Sequence, residues 1–269
     1  MSAIAASLVK ELRDMTGAGM MDCKRALEET GGDLGAAVKL LRERGMAAAA
    51  KRAERGTTEG KVLAHVRNGR GALVAVGCET EPVANNEEFL SFARHVLELV
   101  EVEGPDAAQK LEDERVNLVA TIGENVVVRG AARFQSENGD AIMAYVHPPA
   151  EKIGVLVRLR GSPELARLLA MHISFANPRY ASREDVPDSA IAEEREIYEK
   201  LPDVASKPDH IRPKIVEGML TKRFFAESVL ADQPWIHDDS KTVGQVLADE
   251  GAEVREFVRY SLAEPAASA

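Results

Sequence analysis

The sequence has few aromatic residues, only two cysteines and no long apolar run. Aromatic residues make up 4% of the 269 residues, so a hydrophobic core must be built from Ala, Val, Leu, Ile and Met in helices and helix-covered sheets. Cys23 and Cys78 match no zinc-ligand spacing, which predicts reduced structural thiols in a cytosol. Charged residues follow the apolar stretch 4–9 at once, so no signal peptide is expected, and no run approaches the roughly 20 apolar residues of a membrane helix. The composition therefore predicts a globular cytoplasmic protein that makes no membrane contact.

Positive charge is also scarce. The chain has 34 Lys and Arg against 44 Asp and Glu, which gives a formal net charge of -10 and a pI near 5.2. Non-specific binding to nucleic acid or to an anionic membrane needs clustered basic side chains that release counterions. Direct binding of nucleic acid is therefore not expected.

Motifs that carry covalent chemistry are missing from the sequence. It contains no glycine-rich phosphate loop, no GxSxG nucleophile motif and no pair of histidines at a metal-ligand spacing. His172 falls on the apolar face of a predicted helix, where a hydrogen-bonded core histidine is the simplest interpretation. We predict no catalytic centre, no metal site and no cofactor.

Residues 1–45 have the pattern of three short helices. Apolar residues recur at helical spacing, Thr16–Gly19 ends the first helix, Gly31–Gly32 ends the second, and Asp33 is placed to cap the third. These features predict a small three-helix bundle. The Ala-rich residues 46–59 are predicted to form a helical linker that loses structure near Gly56.

An internal repeat follows the linker. Residues 60–138 and residues 139–186 each begin with strand, strand, helix, at an offset of roughly 80 residues, and Ser162 and Pro163 are placed to start the second helix. Two polar helical stretches, 188–201 and 209–230, predict a helical hairpin within 187–230, after which the second unit resumes over 231–269. The fold class is therefore α+β, with two related antiparallel sheet-plus-helix subdomains standing side by side and an inserted helical hairpin.

Two adjacent methionines stand at the start of the second helix. Adjacent helical positions do not share one face, so Met20 and Met21 cannot both point into one small core. An exposed methionine beside Arg13 and Lys24 is typical of an adaptable protein-binding surface. The alternative is that both methionines pack internally or against the rest of the chain.

The segment CETEPVANN, residues 78–86, connects a buried strand to a helix. Loops at strand ends often carry function on a rigid scaffold. The alternative is a simple turn in which Pro82 sets a backbone dihedral and Asn85 or Asn86 caps the next helix.

The segment TGAGMMDCKRAL at 16–27 resembles the N-terminal signature of bacterial elongation factor Ts. Further similar segments occur in the same order: CETEPVANNEEF at 78–89, IGEN at 122–125, IGVLV at 153–157, AMH at 170–172, KIVEG at 214–218 and KTVGQ at 241–245. The resemblance implies an N-terminal UBA-like bundle, a core of two related subdomains and a helical arm. It also implies a guanine nucleotide exchange factor for elongation factor Tu, the GTPase that delivers aminoacyl-tRNA to the ribosome.

The resemblance also implies which residues contact that partner. Arg13, Met20, Met21 and Lys24 would contact a helix of the GTPase domain. Thr80, Glu81, Pro82 and Val83 occupy the place of the family's Thr-Asp-Phe-Val loop, which inserts beside the Mg²⁺ site. Ile122, Gly123 and His147 belong to core binding surfaces, and Ile236 and His237 would reach another domain of the partner.

This sequence departs from the family pattern in the loop, where Glu81 replaces Asp and Pro82 replaces Phe. Three alternatives to an active exchange factor stay open: an exchange-impaired paralogue that binds elongation factor Tu without emptying it, a helical adaptor for an unrelated protein, and an enzyme of unknown type. Homodimer formation through the helical arm is also left open.

Overall fold

The computed structural model describes residues 4–264 and has the predicted α+β composition. Within this part of the chain the helices are α1 (Ala6–Thr16), α2 (Met20–Glu29), α3 (Leu34–Arg52), α4 (Glu81–Ala84), α5 (Glu87–Glu103), α6 (Glu112–Ile122), α7 (Pro163–Ala176), α8 (Asp188–Lys200), α9 (Pro202–Ala205), α10 (Arg212–Met219), α11 (Ala226–Ser228) and α12 (Val243–Asp249). The strands are β1 (Glu59–Arg67), β2 (Arg70–Cys78), β3 (Val126–Gln135), β4 (Ala141–Val146), β5 (Ile153–Arg160), β6 (Pro234–Trp235), β7 (Asp238–Thr242) and β8 (Glu253–Ser261). A π-helical segment, Leu220–Phe225, joins α10 to α11.

The first three helices form the predicted bundle. Gly17 ends α1 in the left-handed conformation, with φ 68°, and its N–H donates to the Arg13 carbonyl. The Asp33 carboxylate caps α3 by accepting the Ala36 N–H at 2.9 Å. The bundle is closed by a small buried core of Val9, Leu12, Cys23, Ala26, Leu27 and Ala37.

Helix α3 is longer than the short third helix that was expected. It runs without a break from Leu34 to Arg52, through the first half of the predicted linker, because alanine favours the helical state. Helix α3 packs against α6 at Gly45, where an added Cβ atom would be in ordinary van der Waals contact with Val116 Cγ1, at 3.5 Å. Ala49 is buried in the core of the first sheet subdomain, so the C-terminal part of α3 joins the bundle to that subdomain.

The two sheets have the same construction, which confirms the repeat. In the first sheet the strand order is β1-β2-β3, and in the second it is β4-β5-β8, with every pair antiparallel. Helix α5 covers one face of the first sheet and α7 covers one face of the second. The Ser162 hydroxyl caps α7 by accepting the Leu165 N–H at 3.1 Å, as predicted.

The two sheets stack face to face, so the expectation that the subdomains stand side by side is wrong. Val62, Leu73 and Ala75 of the first sheet share one buried cluster with Leu156 and Leu262 of the second subdomain. The sheets approach closely at Gly154, where a Cβ atom would lie only 2.4 Å from Val62 Cγ1. Because helices cover the outer faces, β2 and β5 are buried on both sides, and this explains their continuous apolar runs.

The helical hairpin between the two parts of the second subdomain has its own buried cluster. Tyr198 of α8 and Val216 of α10 pack with Leu220 and Phe225 of the π-helical segment. An ion pair between Arg195 and Glu217, 3.2 Å apart, joins α8 to α10. The predicted arm is therefore a packed helical unit.

Candidate functional site

The loop from Thr80 to Val83 leaves the end of β2 and forms the single turn α4. Two hydrogen bonds to the Glu124 carboxylate hold its first residue: the Thr80 hydroxyl donates to Oε1 at 2.6 Å and the Thr80 N–H donates to Oε2 at 3.0 Å. Glu124 lies two residues after the end of α6 and 44 residues after Thr80 in the sequence. A non-local clamp therefore fixes the start of the loop.

A second set of polar contacts holds Glu79, the residue that precedes the loop. The Glu79 carboxylate accepts the Asn125 N–H at 2.7 Å and lies 3.3 Å from the Arg55 guanidinium. The buried Asn125 amide donates to the Arg55 carbonyl at 2.9 Å, which attaches the segment after α3 to the same place. Both sets of contacts therefore hold the N-terminal end of the loop, at Glu79 and Thr80.

The held backbone presents polar side chains to solvent. Thr80, Glu81 and Pro82 are exposed, whereas Val83 is half-buried against the core of the first subdomain. The predicted turn chemistry is also present, since the Asn86 side chain caps α5 by accepting the Glu88 N–H at 2.8 Å. The segment therefore both caps α5 through Asn86 and exposes Thr80, Glu81 and Pro82 on the surface.

Ile122 and Gly123 lie beside the loop, because they directly precede Glu124. Gly123 ends α6 in the left-handed conformation, with φ 83°, and its N–H donates to the Val119 carbonyl at 3.0 Å. Ile122 is half-buried against the core of the first subdomain. The structure thus brings this sequence-predicted pair and the Thr80 loop together.

Both methionines at the start of α2 are exposed, so the interpretation that they pack internally is wrong. The exposed fraction is 48% for Met20 and 61% for Met21, and Met15 at the end of α1 is exposed beside them. We call Met15, Met20 and Met21 the methionine surface. The side chains of Arg13 and Lys24 are exposed on the same two helices.

The methionine surface is attached to the helix that ends at the clamp. The Arg42 guanidinium binds both carboxylate oxygens of Asp113 on α6 at 2.7 Å. The Thr121 hydroxyl, at the other end of α6, lies 3.4 Å from the Gly17 carbonyl in the connection between α1 and α2. Helix α6 therefore contacts the bundle along its length and leads into Ile122, Gly123 and Glu124.

Ile236 and His237 form the turn between β6 and β7, and both are exposed. The turn rests on α7, where the His237 ring nitrogen Nε2 lies 3.3 Å from the Leu168 carbonyl. The turn follows Trp235, which is buried and stacks on the His172 ring with 5.2 Å between ring centroids. His172 is fully buried and its ring lies 2.9 Å from the Gln233 side-chain oxygen, as expected for a core histidine.

Comparison with known proteins decides the family. The family model described as Elongation factor TS matches residues 79–264, which is more than half of the chain. The chain belongs to the elongation factor Ts family. Its relatives include the elongation factor Ts of Shewanella amazonensis, 43% identical over 265 residues that cover 97% of this chain and 92% of the relative. That of Pasteurella multocida is 42% identical, with 98% and 93% covered.

Membership of the elongation factor Ts family assigns the chain to translation elongation. The family match covers the Thr80 loop, the clamp at Glu124, the arm and the β6–β7 turn. The methionine surface lies before the matched region, but the relatives align with 97% of this chain. The contact residues named from the resemblance are predictions.

His147 lies apart from the other predicted positions of this elongation factor Ts family member. It is exposed in the connection between β4 and β5, and its ring Nδ1 lies 2.9 Å from the Tyr145 hydroxyl. The same connection contacts β1, where Lys61 pairs with Glu151 at 2.9 Å. His147 therefore belongs to the junction of the two sheets.

Sequence reasoning missed Phe175 at the end of α7. Its exposed fraction of 81% is larger than that of any other large hydrophobic side chain in the described part of the chain. It lines one concavity with Ile236, His237, Lys222 and Arg223. The sequence carried no signal for this exposure, because position 175 lies three residues after His172 and continues the apolar face predicted for the helix.

Residues 4–264 were searched for groups of metal ligands and for membrane-spanning helices. No group of three or more His, Cys, Asp or Glu side chains there could hold a metal ion. No helix in the same range has the length and apolar character needed to cross a bilayer. Cys23 and Cys78 are buried free thiols, and burial raises the pKa of Cys78 to about 12, so its thiol is unreactive at neutral pH.

Proposed function

We propose that this chain binds elongation factor Tu and accelerates the release of GDP from it, without covalent chemistry. The observation that carries the proposal is the Thr80–Val83 loop, whose backbone is clamped by Glu124 while Thr80, Glu81 and Pro82 remain exposed. A rigid loop can displace groups in a partner, because it loses little conformational entropy on binding. A mobile loop at this place would instead yield to the partner.

The mechanism is a linkage between two binding equilibria. If the factor binds nucleotide-free GTPase more tightly than GDP-loaded GTPase, GDP must bind less tightly to the complex by the same factor. A thousandfold weakening of GDP needs about 4 kcal/mol of differential binding. We assign this energy to contacts of the Thr80 loop that distort the phosphate and Mg²⁺ region of the partner.

The remaining predicted contacts supply affinity. In this proposal the methionine surface, with Arg13 and Lys24, binds a helix of the GTPase domain, since methionine side chains adapt to an apolar partner face. Ile122 and Gly123 extend the loop surface. Ile236 and His237, together with Phe175 in the same concavity, bind another domain of the partner.

The second candidate function is an exchange-impaired factor that binds elongation factor Tu but empties it slowly. The exposed Pro82 favours it, because Pro82 stands where the resemblance places an aromatic residue. A buried aromatic side chain contributes about 150–250 Å² of contact, which a pyrrolidine ring cannot match. Glu81 keeps the negative charge but has a longer side chain.

The proposal is tested by the release of fluorescent GDP from elongation factor Tu with and without the chain. Acceleration at substoichiometric amounts supports the exchange function. Complex formation on a gel-filtration column without acceleration supports the impaired factor. If elongation factor Tu does not co-elute at all, both candidates fail and an adaptor for another protein becomes the better account.

The domain limits, the cellular location and the absence of other partners are also proposals. We propose the bundle 1–45, the linker 46–59, the core subdomains 60–138 and 139–186 with 231–269, and the arm 187–230 as functional units. We propose action in the cytoplasm, with no direct contact with nucleic acid or membrane. A homodimer through the arm stays a prediction that sedimentation would test.

A further inference from the structure

A buried histidine contacts the backbone of the turn that carries Ile236 and His237. His172, fully buried on α7, contacts the turn twice: the Ile236 N–H donates to its ring Nδ1 at 3.4 Å, and its ring stacks on Trp235. Trp235 in turn contacts the His237 ring edge-on, with 4.9 Å between ring centroids. The His172 ring therefore contacts Trp235 and the Ile236 N–H directly, and it contacts His237 through Trp235.

The hydrogen bonds fix which nitrogen of His172 carries the proton. Because Nδ1 accepts the Ile236 N–H, the single proton of the neutral ring is on Nε2, which donates to Gln233 Oε1 at 2.9 Å. The Gln233 amide orientation is also determined, since its Nε2 donates to the carbonyls of Ala176 at 3.2 Å and Glu227 at 2.7 Å. Every polar atom of this buried pair has a partner.

The network joins three elements at one point. Ala176 ends α7, Glu227 lies in the last helix of the arm, and Ile236 is in the β6–β7 turn. The Arg259 guanidinium of β8 also donates to the Ser174 carbonyl of α7 at 3.2 Å. The position of the turn is therefore set relative to both α7 and the arm.

We propose that His172 is a positioning residue: its neutral ring holds the β6–β7 turn in the shape that presents Ile236 and His237 to the partner, and its protonation releases the turn. A second proton on His172 must bind Nδ1, where it would oppose the Ile236 N–H donor and break that hydrogen bond. The identity of the partner rests on the proposed function. The role of His172 in positioning the β6–β7 turn does not.

The surroundings favour the neutral ring at physiological pH. Burial lowers the pKa of His172 below its ordinary value of 6.5, the hydrogen bond to Gln233 opposes this, and the nearby His237 lowers the pKa further. The charged side chains of Lys222, Arg223, Glu227 and Asp238 line the open concavity outside the turn. The turn is therefore expected to hold at neutral pH and to loosen in acid.

Two substitutions separate the two hydrogen bonds of the ring. The amide of His172→Asn reaches the place of Nδ1 and can accept the Ile236 N–H, whereas the amide of His172→Gln reaches the place of Nε2 and keeps only the bond to Gln233. Neither side chain titrates. His237→Gln is the matched control, because it removes the other histidine beside Trp235.

The isolated protein gives the first test through Trp235, the single tryptophan of the chain. In the His237→Gln background, where no second histidine contacts Trp235, we expect the fluorescence to change as the pH falls below 6.5 when His172 is present, and not when His172→Asn or His172→Gln is added. We expect the Ile236 amide to exchange slowly with solvent in the wild type and His172→Asn, and at least about tenfold faster in His172→Gln, which lacks the acceptor.

Binding gives the second test. At neutral pH we expect His172→Gln to bind elongation factor Tu about tenfold more weakly than His172→Asn. Wild-type affinity should fall through the pH range of the fluorescence change, while His172→Asn should not show that fall.

The proposal is overturned if the Ile236 amide is equally protected in both variants, or if both bind as the wild type does at every pH. If neither variant folds, the wild type decides, because its Ile236 protection must fall together with the fluorescence change. A wild type that never binds elongation factor Tu refutes the proposed function, and the isolated-protein measurements still decide whether His172 positions the turn.

Discussion

Thr80 and Glu124 are joined by two hydrogen bonds across 44 residues of sequence, with oxygen–oxygen and nitrogen–oxygen distances of 2.6 and 3.0 Å. The pair connects the loop proposed to enter the partner with the end of α6. The start and the end of α6 contact the N-terminal bundle through Asp113 and Thr121. One helix therefore fixes the spacing between the loop and the methionine surface.

Replacing Glu124 by alanine is expected to slow GDP release by about tenfold, because a charge-assisted clamp of roughly 1–2 kcal/mol no longer holds the loop. Stopped-flow release of fluorescent GDP measures the effect. Glu114→Ala is the control. Glu114 also lies on α6, but its carboxylate pairs with the His95 ring, 2.8 Å away, and makes no contact with Thr80. Equal slowing by both variants would show that the clamp has no special role.

Replacing Pro82 by phenylalanine is expected to accelerate GDP release by about tenfold, because an aromatic side chain restores apolar contact in the partner. Pro82→Ala is expected to give no acceleration, which separates the aromatic contact from the loss of the proline ring. The rate of fluorescent GDP release is measured for both. An unchanged rate in Pro82→Phe would show that the absence of an aromatic side chain at this position does not limit exchange.

Replacing Met21 by glutamate is expected to weaken binding of elongation factor Tu by about 2 kcal/mol, because a charge would be buried against an apolar partner face. Met46→Glu is a close control, since Met46 is 47% exposed on α3 but is not part of the methionine surface. Titration calorimetry compares the two. Similar losses in both variants would place the partner elsewhere on the bundle.

Replacing Phe175 by serine is expected to weaken binding by about 1–3 kcal/mol without loss of stability, because the side chain contacts solvent in the free protein. Ile197→Ser on α8 removes another exposed apolar side chain and should leave affinity unchanged. Thermal unfolding checks that both variants fold. Unchanged affinity for Phe175→Ser would exclude the concavity from the interface.

The buried carboxylate of Glu101 should make stability depend on pH. The Arg67 guanidinium donates to it and holds the pKa of Glu101 below its ordinary value of 4.5, burial opposes this, and His65 lowers the pKa further. Folded protein therefore binds fewer protons here than unfolded protein, so this stabilisation is present above about pH 4.5 and is lost as the pH falls through the lower folded value.

Glu101→Gln tests this dependence. Urea unfolding at pH 7 should show a loss of about 1–3 kcal/mol, because Arg67 loses its charged acceptor, and the difference from wild type should shrink as the pH falls below 4.5. A difference that stays constant down to pH 3 would contradict the assignment.

Local features of the fold were predictable from the sequence. The caps at Asp33 and Ser162 were predicted correctly, and Asn86 is one of the two residues predicted to cap α5, because a cap depends on residues within one helical turn. The strand–strand–helix repeat was recognisable for a similar reason, since apolar spacing records whether a segment is helical or extended.

Non-local contacts were not predictable in the same way. The clamp between Thr80 and Glu124 joins two segments that were noted separately, and the sequence contains nothing that pairs them. The face-to-face stacking depends on close approach at Gly154, which is one of 20 glycines with no distinguishing local pattern. The exposure of Phe175 depends on how α7 is rotated against its sheet, and residue type alone would place it in the core.

The central claim concerns the relative affinity of this chain for two states of one GTPase. Calorimetry with nucleotide-free and with GDP-loaded elongation factor Tu measures both values under the same conditions. We predict markedly tighter binding to the nucleotide-free form. The difference should be about a thousandfold if the complex weakens GDP binding by about 4 kcal/mol. Equal affinity for the two forms would contradict the proposed function.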